Sequence, residues 1–358
     1  MSAVVDARLV GETWIEVSEN LIRSVNSGVN PTADQVIDGT LIPGFIDIHC
    51  HGGAGSYFSN ASRVQDVIKV HREHGTTGII ASLVTESIED LKVQIAALVP
   101  FYKSGQILGI HLEGPYLSHA RCGAHEPSLL INPDVAEIKE LLEIAKGAIA
   151  MITIAPELPG AIEAIKYLSA AGVKVALGHT NGDFKDAAAG TNAGASIVTH
   201  FLNAMSKELT EGSISSFVLV DERLSVELIL DGHHVPFATA SEIIRAIGNR
   251  VMLVTDAMAA AGGSDGTYAI GKLEVKVEDS VARLTSNNAL AGSTLTMDQA
   301  FHNAIKNCGA TIPQAVVMSA TNPAKALGLH DRGSITVGKR ADLLTYDLVT
   351  GKISTLNL

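Results

Sequence analysis

Two histidines separated by one residue, His49 and His51, close the apolar run Phe45-Ile-Asp-Ile48 and are followed at once by Gly52-Gly-Ala-Gly55. On an extended strand alternate side chains share a face, so Asp47, His49 and His51 point one way and Ile46, Ile48 and Cys50 the other. Two imidazoles so placed can grip one metal ion, although the same pattern also describes ordinary polar groups at a sheet edge. Three more residues of ligand type end apolar runs further along: Glu113 in Ile110-His-Leu-Glu-Gly-Pro-Tyr116, His179 in Leu177-Gly-His-Thr-Asn-Gly182, and His200 in Thr199-His-Phe-Leu-Asn-Ala-Met205. Imidazole nitrogen with carboxylate oxygen is the donor set of a catalytic divalent ion that keeps positions open for water and substrate. Zinc stands first among the candidates, with iron, manganese and cobalt as alternatives.

Asp256, in Val254-Thr-Asp-Ala-Met258, has the chemistry of a general base and acid beside a water polarised by such an ion, and aspartate there is also a good helix N-cap. His125, in Arg121-Cys-Gly-Ala-His125, and His234, in Asp231-Gly-His-His-Val235, sit in loops where they can polarise a carbonyl or hold a sugar hydroxyl, or simply lie on the surface.

The elements that position these groups read as alternating units. Apolar runs of β type cover 45–49, 78–84, 107–112, 148–154, 173–177, 196–199, 225–230 and 251–255, with helical periodicity between them, as in 64–74 and 133–145. Alternation requires parallel strands with crossovers, and eight such units close a barrel. A doubly wound open sheet has the same alternation. Titratable residues, however, follow nearly every run, and only a barrel lets eight strand ends converge on one mouth. The expectation is an α/β chain: a (β/α)8 TIM-type barrel over 44–329, with a small β-sandwich built from both termini, 1–43 and 330–358. Two further expectations are a β-like pair near 273–277 and 281–284, and closing helices over 297–307 and 313–326.

A net charge of -12 argues against a nucleic-acid surface, and an apolar stretch of eighteen residues able to span a bilayer is not present in the sequence. Cys50, Cys122 and Cys308 are odd in number and widely spaced, which suits a reducing, cytoplasmic setting better than a disulfide framework.

The ordered set Pro-Gly-Phe-Ile-Asp-Ile-His-x-His-Gly, His-Leu-Glu-Gly-Pro-Tyr, Gly-Ala-His, Gly-His-Thr-Asn, Thr-His-x-x-Asn-Ala-Met, Asp-Gly-x-His-Val, Thr-Asp-Ala-Met and Leu-Ala-Gly-Ser closely resembles the N-acetylglucosamine-6-phosphate deacetylase family of the amidohydrolase superfamily. The resemblance runs nearly the length of the chain, through Thr321-Asn-Pro-Ala-Lys-Ala-Leu-Gly328 and Gly338-Lys-Arg-Ala-Asp342. It implies metal-dependent removal of acetate from N-acetylglucosamine 6-phosphate, with Glu113, His179 and His200 on the main ion, His49 and His51 on a second, and Asp256 as the acid/base. One ion and two both remain open. It also implies substrate contacts at Ala124, His125, Asn203, Ala204, Asp231, Gly232, His233, His234, Leu290, Ala291, Gly292 and Ser293, and a homodimer.

The chain departs from that pattern after Met205. Relatives commonly carry a histidine- and arginine-containing run whose arginine binds phosphate across a subunit interface, whereas Ser206-Lys-Glu-Leu-Thr-Glu-Gly-Ser213 has Lys207 as its one cation. A lysine supplies charge without a bidentate fork, which leaves Arg223 or another loop as a possible substitute. Alternatives to the expected activity are deacetylation of N-acetylgalactosamine 6-phosphate, of an unphosphorylated amino sugar or of an N-acyl amino acid, and a non-catalytic scaffold. Sites built on a carboxylated lysine fit less well, because the fourth run ends in Ile154-Ala-Pro-Glu157.

Overall fold

The computed structural model describes residues 1–5 and 8–356. Its centre is an eight-stranded parallel sheet in sequential order: β1 Phe45–Cys50, β2 Thr76–Leu83, β3 Gly109–Glu113, β4 Ile149–Ile154, β5 Lys174–Leu177, β6 Ile197–Val198, β7 Ser225–Ile229 and β8 Val251–Val254. All eight expected runs are strands of this sheet. β1 and β8 meet where the sheet closes on itself. There the Asp256 N–H donates to the His49 carbonyl at 2.8 Å, the His51 N–H to the Ala257 carbonyl at 3.0 Å, and the Thr255 hydroxyl to Asp47 Oδ2 at 2.6 Å. The strands are apolar on both faces because side chains fill the barrel on one side and helices cover the other.

The helices α1 Val64–Glu73, α2 Ile88–Lys103, α3 Val135–Ala145, α4 Ala161–Ala170, α5 Phe184–Ala193, α6 Ile214–Val220 and α7 Phe237–Ile247 follow the first seven strands in turn. Local sequence sets their starts. Ser87 accepts the Asp90 N–H at 3.1 Å at the head of α2, and Asp134 accepts the Ala136 N–H at 2.6 Å at the head of α3, which is why α3 begins after Pro133 and not at it.

After β8 the chain leaves the barrel as a three-stranded antiparallel sheet, Gly266–Ile270, Leu273–Glu278 and Val281–Leu284. Its own small core, with Met258, Ile270, Val275 and Ala291, packs toward Tyr57, Val84 and Ala124 on the barrel rim. The first strand of the three, exposed at most of its positions, adds to the pair expected from the sequence. The second closing helix is also interrupted. It runs as Ile312–Val316, a π-helical turn Val317–Thr321 and Asn322–Leu327. Pro323 has no N–H to donate back to Ser319, and the ladder widens before it.

The termini build the expected outer layer. Arg8–Val10, Ser2–Val5, Thr40–Pro43, Leu343–Tyr346 and Ile353–Thr355 form one sheet in that order, and the hairpin Thr13–Ser18 with Leu21–Ser27 forms a second. Ala3, Ile22, Leu41, Ile335 and Leu343 pack between them. The segment Gly333–Gly338, which has strand texture in the sequence, forms no strand, and Ile335 alone turns into this core.

Candidate active site at the barrel mouth

Three of the chemistry-bearing residues share one local device. His179, His200 and Asp256 each stand two residues beyond the end of a strand, and each has a left-handed backbone, with φ of 45°, 26° and 48°. Such a conformation costs a non-glycine residue about 1–3 kcal/mol and persists only where surrounding contacts over-determine it. Those contacts are present. Glu157 accepts the Asn181 N–H at 2.7 Å and the Thr180 hydroxyl at 2.6 Å, Glu227 Oε2 accepts the His200 N–H at 3.0 Å, and the Ser293 N–H donates to the Asp256 carbonyl at 2.8 Å. The strained turn swings each side chain off its strand and over the barrel axis.

Glu113, at the last position of β3, lies at the centre. Its Oε1 is 3.1 Å from His179 Nε2 and 2.9 Å from His200 Nε2, and its Oε2 is 3.0 Å from His51 Nε2. Two donor clusters result, one of Glu113, His179 and His200 and one of His49, His51, Glu113 and Asp256, all buried. Within them His179 Nε2 and His200 Nε2 are 3.0 Å apart, and His49 Nε2 and His51 Nε2 3.1 Å apart.

The ring partners fix two tautomers. His179 Nδ1 lies 2.8 Å from the Arg121 carbonyl oxygen and His49 Nδ1 2.9 Å from Glu227 Oε2, so in each ring Nδ1–H donates outward and the Nε2 lone pair faces the cluster. Converging lone pairs beside a carboxylate repel one another unless a cation lies among them, and this donor set fits a divalent metal. The carboxylates favour a positive charge at the same place, a metal ion on the Nε2 lone pair or a proton in its stead. Burial alone would depress the His49 pKa, yet Glu113, Glu227 and Asp256 hold it well above the ordinary value. Burial would raise Glu113, but the His49 charge and the hydrogen bonds of His125, His179 and His200 bring it well below the usual carboxylate range. For Asp256, burial is likewise overridden by His49 and His51, and the shift is downward.

His125 is built the opposite way. Its Nδ1 accepts the Thr85 N–H at 3.3 Å and lies 2.9 Å from the Thr85 hydroxyl, which leaves Nε2–H as a donor aimed into the site. Burial depresses its pKa to about 4, so the ring is neutral near pH 7. His234 Nδ1 faces Asp231 Oδ2 at 2.7 Å, so Nε2 presents a lone pair. The two loop histidines, alike in the sequence, therefore offer a donor and an acceptor.

A cavity of about 260 Å³ opens above these groups. Its wall includes His51, Glu113, Ala124, His125, His179, His200, Asn203, Ala204, His234, Asp256, Leu290 and Gly292, while His49 lies beneath it. Asp231, Gly232, His233, Ala291 and Ser293 are not part of the wall. Asp231 orients His234, His233 is exposed, Ala291 is buried in the small sheet's core, and Ser293 donates its hydroxyl to the Thr255 carbonyl at 2.6 Å. Gly123 approaches the His179 ring so closely that an added Cβ would stand 3.0 Å from Cε1, at a φ of +59° that favours glycine. Lys207 is the one lysine or arginine on the wall, among the described residues. Arg223 is not on it, being paired with Asp221 at 2.5 Å and with Asn192 at 2.9 Å.

Glu227 was not foreseen. An isolated acidic residue within Ser225-Val-Glu-Leu-Ile229 reads as a solvated edge position, yet in a strand covered on both faces a charge must find a buried partner, and that was the available signal.

A barrel with histidine and carboxylate donors at its C-terminal mouth is suited to metal-dependent hydrolysis. The amidohydrolase family model matches residues 40–357, and the chain belongs to that family. It is 33% identical to an N-acetylgalactosamine-6-phosphate deacetylase of Escherichia coli O157:H7, over 97% of this chain and 96% of that one. It is 34% identical to an N-acetylglucosamine-6-phosphate deacetylase of Bacillus subtilis (strain 168), over 86% and 80%. Among solved structures, a mutant N-acetyl-D-glucosamine-6-phosphate deacetylase of Mycobacterium smegmatis, in complex with N-acetyl-D-glucosamine-6-phosphate, superposes with a TM-score of 0.94 at 39% identity, covering 97% of this chain and 93% of that one.

Proposed function

We propose that the chain hydrolyses the acetamide of N-acetylglucosamine 6-phosphate, releasing acetate and the amino sugar phosphate. The observation that carries this reading is the convergence of both donor clusters, Asp256 and the Nε2–H of His125 on one cavity whose wall bears Lys207. Glu113, His179 and His200 would hold one divalent ion, zinc first, and His49 with His51 a second. Such an ion supplies Lewis acidity, polarising the attacking water and the acetamide carbonyl.

The residues supply the rest. Asp256 takes a proton from water as its oxygen adds to the acetamide carbon. His125 donates Nε2–H to the oxygen of the tetrahedral adduct, which gathers negative charge. Asp256 then returns its proton to the sugar nitrogen, the carbon–nitrogen bond breaks, and acetate and amine leave. His234 accepts from a sugar hydroxyl, Asn203 and the main chain at Ala204 and Leu290 bound the ring, and Lys207 meets the phosphate. Exposed Leu209, two residues beyond Lys207, and exposed Val220 offer apolar surface for a homodimer. Among the described residues no helix is long and apolar enough to cross a membrane. With free Cys50, Cys122 and Cys308, the reading extends to a cytoplasmic enzyme.

The test is release of acetate from N-acetylglucosamine 6-phosphate, N-acetylgalactosamine 6-phosphate and free N-acetylglucosamine. The first is expected to have the highest kcat/KM; equal values for the phosphorylated and free sugars would remove Lys207 from its role and the phosphate from the substrate.

A further inference from the structure

Glu227 sits in the middle of β7, fully buried between Val226 and Leu228. Its Oε2 accepts the main-chain N–H of His200 at 3.0 Å and faces His49 Nδ1 at 2.9 Å, while its Oε1 meets no partner. The Phe201 N–H donates to its main-chain carbonyl at 2.9 Å. His200 belongs to one donor cluster and His49 to the other, so a single carboxylate oxygen joins the two.

We propose that Glu227 is the positioning residue that admits the second metal ion, acting through the His49 ring. The inference rests on the metal-dependent reading above and deepens it.

Two physical effects give Glu227 this selectivity. The first is the tautomer. With an acceptor at Nδ1, the His49 ring carries its proton there and turns its Nε2 lone pair toward His51; without one, the Nε2–H form competes, and its proton would point at His51 Nε2, 3.1 Å away. The second is charge. Glu113, Asp256, Glu227 and Asp47 behind His49 are four buried carboxylates, and the imidazoles are neutral when they hold metal. Two divalent ions balance these charges. Without the Glu227 charge two ions leave an excess of one positive charge, whereas one ion leaves none. The poorly solvated floor of the cavity penalises the excess, so the loss falls on the second ion. One oxygen serves both the His200 N–H and His49 Nδ1, so a glutamine at 227 keeps both contacts in place, but its neutral amide oxygen holds the Nδ1 proton more weakly than a carboxylate does: the first cluster keeps its geometry and the bias on the His49 ring falls.

The experiment titrates the metal-stripped full chain with zinc and counts ions per chain by elemental analysis after desalting, with melting temperature followed in parallel. The unaltered chain is expected to take two. Glu227→Gln should keep the tighter site and raise half-saturation of the weaker one by about 10–100-fold. Combining it with His49→Gln should cost nothing further at that site, because both changes act through one imidazole. Two ions at unaltered half-saturation in Glu227→Gln, or parallel loss of both, would overturn the proposal. Should that variant not fold, nitrogen-15 NMR of histidines in the zinc-loaded unaltered chain decides. Zinc at His49 Nε2 with a proton on Nδ1 supports the role, and a proton on Nε2 overturns it. One ion or none in the unaltered chain would defeat the two-ion reading beneath it, a result distinct from either variant outcome.

Discussion

Asp256 Oδ1 lies 3.3 Å from His51 Nε2, so the carboxylate beyond β8 and the imidazole beyond β1 share one wall of the cavity. This is the position from which a base can reach water held between the two clusters. Asp256→Asn keeps size and shape and removes the proton acceptor. It should lower kcat by about 10²–10⁴-fold while the ion at Glu113, His179 and His200 and the melting temperature hold. Turnover near the unaltered rate, measured as acetate released, would take the acid/base role away from this residue.

Glu113 contributes to both donor clusters, whereas His49 and His51 contribute to one. Glu113→Gln should therefore lower occupancy at both sites, and the pair His49→Gln with His51→Asn should cost about one equivalent. Ions counted per chain after desalting distinguish the two patterns. Equal loss in both variants would mean that the clusters are not separate sites.

His125 is neutral well below pH 7, because burial depresses its pKa to about 4. It can thus donate Nε2–H throughout the usual assay range. His125→Ala should reduce kcat by about 10²–10³-fold, the cost of removing one oxyanion donor. It should leave the apparent pKa values of the rate profile between pH 5 and 9 in place. A limb of that profile disappearing in the variant would show that the ring titrates where it is held here to be neutral.

Lys207 is exposed at the cavity wall, where a charged contact is worth little in water. Lys207→Ala should raise KM for N-acetylglucosamine 6-phosphate by roughly two- to fivefold and leave free N-acetylglucosamine unaffected, as for a screened surface pair. Added salt should erase part of the difference. A KM increase shared by both sugars would point to a lost wall contact instead of a lost charge.

Away from the site, His71 on α1 is buried against the Gly52 carbonyl at 2.9 Å, and burial lowers its pKa from 6.5 to about 4. The unfolded chain therefore binds this proton at higher pH than the folded one. The stability associated with the neutral ring is complete above about pH 6.5 and is lost as pH falls toward 4, by about 3 kcal/mol from a shift of this size. His71→Gln should flatten that part of the stability-versus-pH curve, followed by urea unfolding. An unchanged slope would mean that acid lability comes from other groups.

The sequence made the barrel legible because parallel strands buried on both faces are written as short apolar runs, and because ligand-type residues followed them. It also carried the identity of both clusters, since each donor closes a run. What could not be read were the second partners of those donors. That His179 and His49 are locked by the Arg121 carbonyl and by Glu227, and His125 by Thr85, depends on residues far apart in the chain. Adjacent His233 and His234 are also indistinguishable in sequence. Asp231 accepts both of their N–H groups with Oδ1, yet its Oδ2 turns only the second ring inward.

The closure of β1 on β8 gives the mouth a history. Asp47 and His49 come early from the ribosome, while Thr255 and Asp256, their partners across the join, come after most of the barrel has been made. Until then His49 and His51 sit on an open edge, without the carboxylate of Asp256 and without the Glu227 oxygen that fixes their ring. The donors Glu113, His179 and His200 are all made by residue 200, whereas the cluster of His49, His51, Glu113 and Asp256 is complete only when residue 256 has been made and the barrel has closed on its first strand.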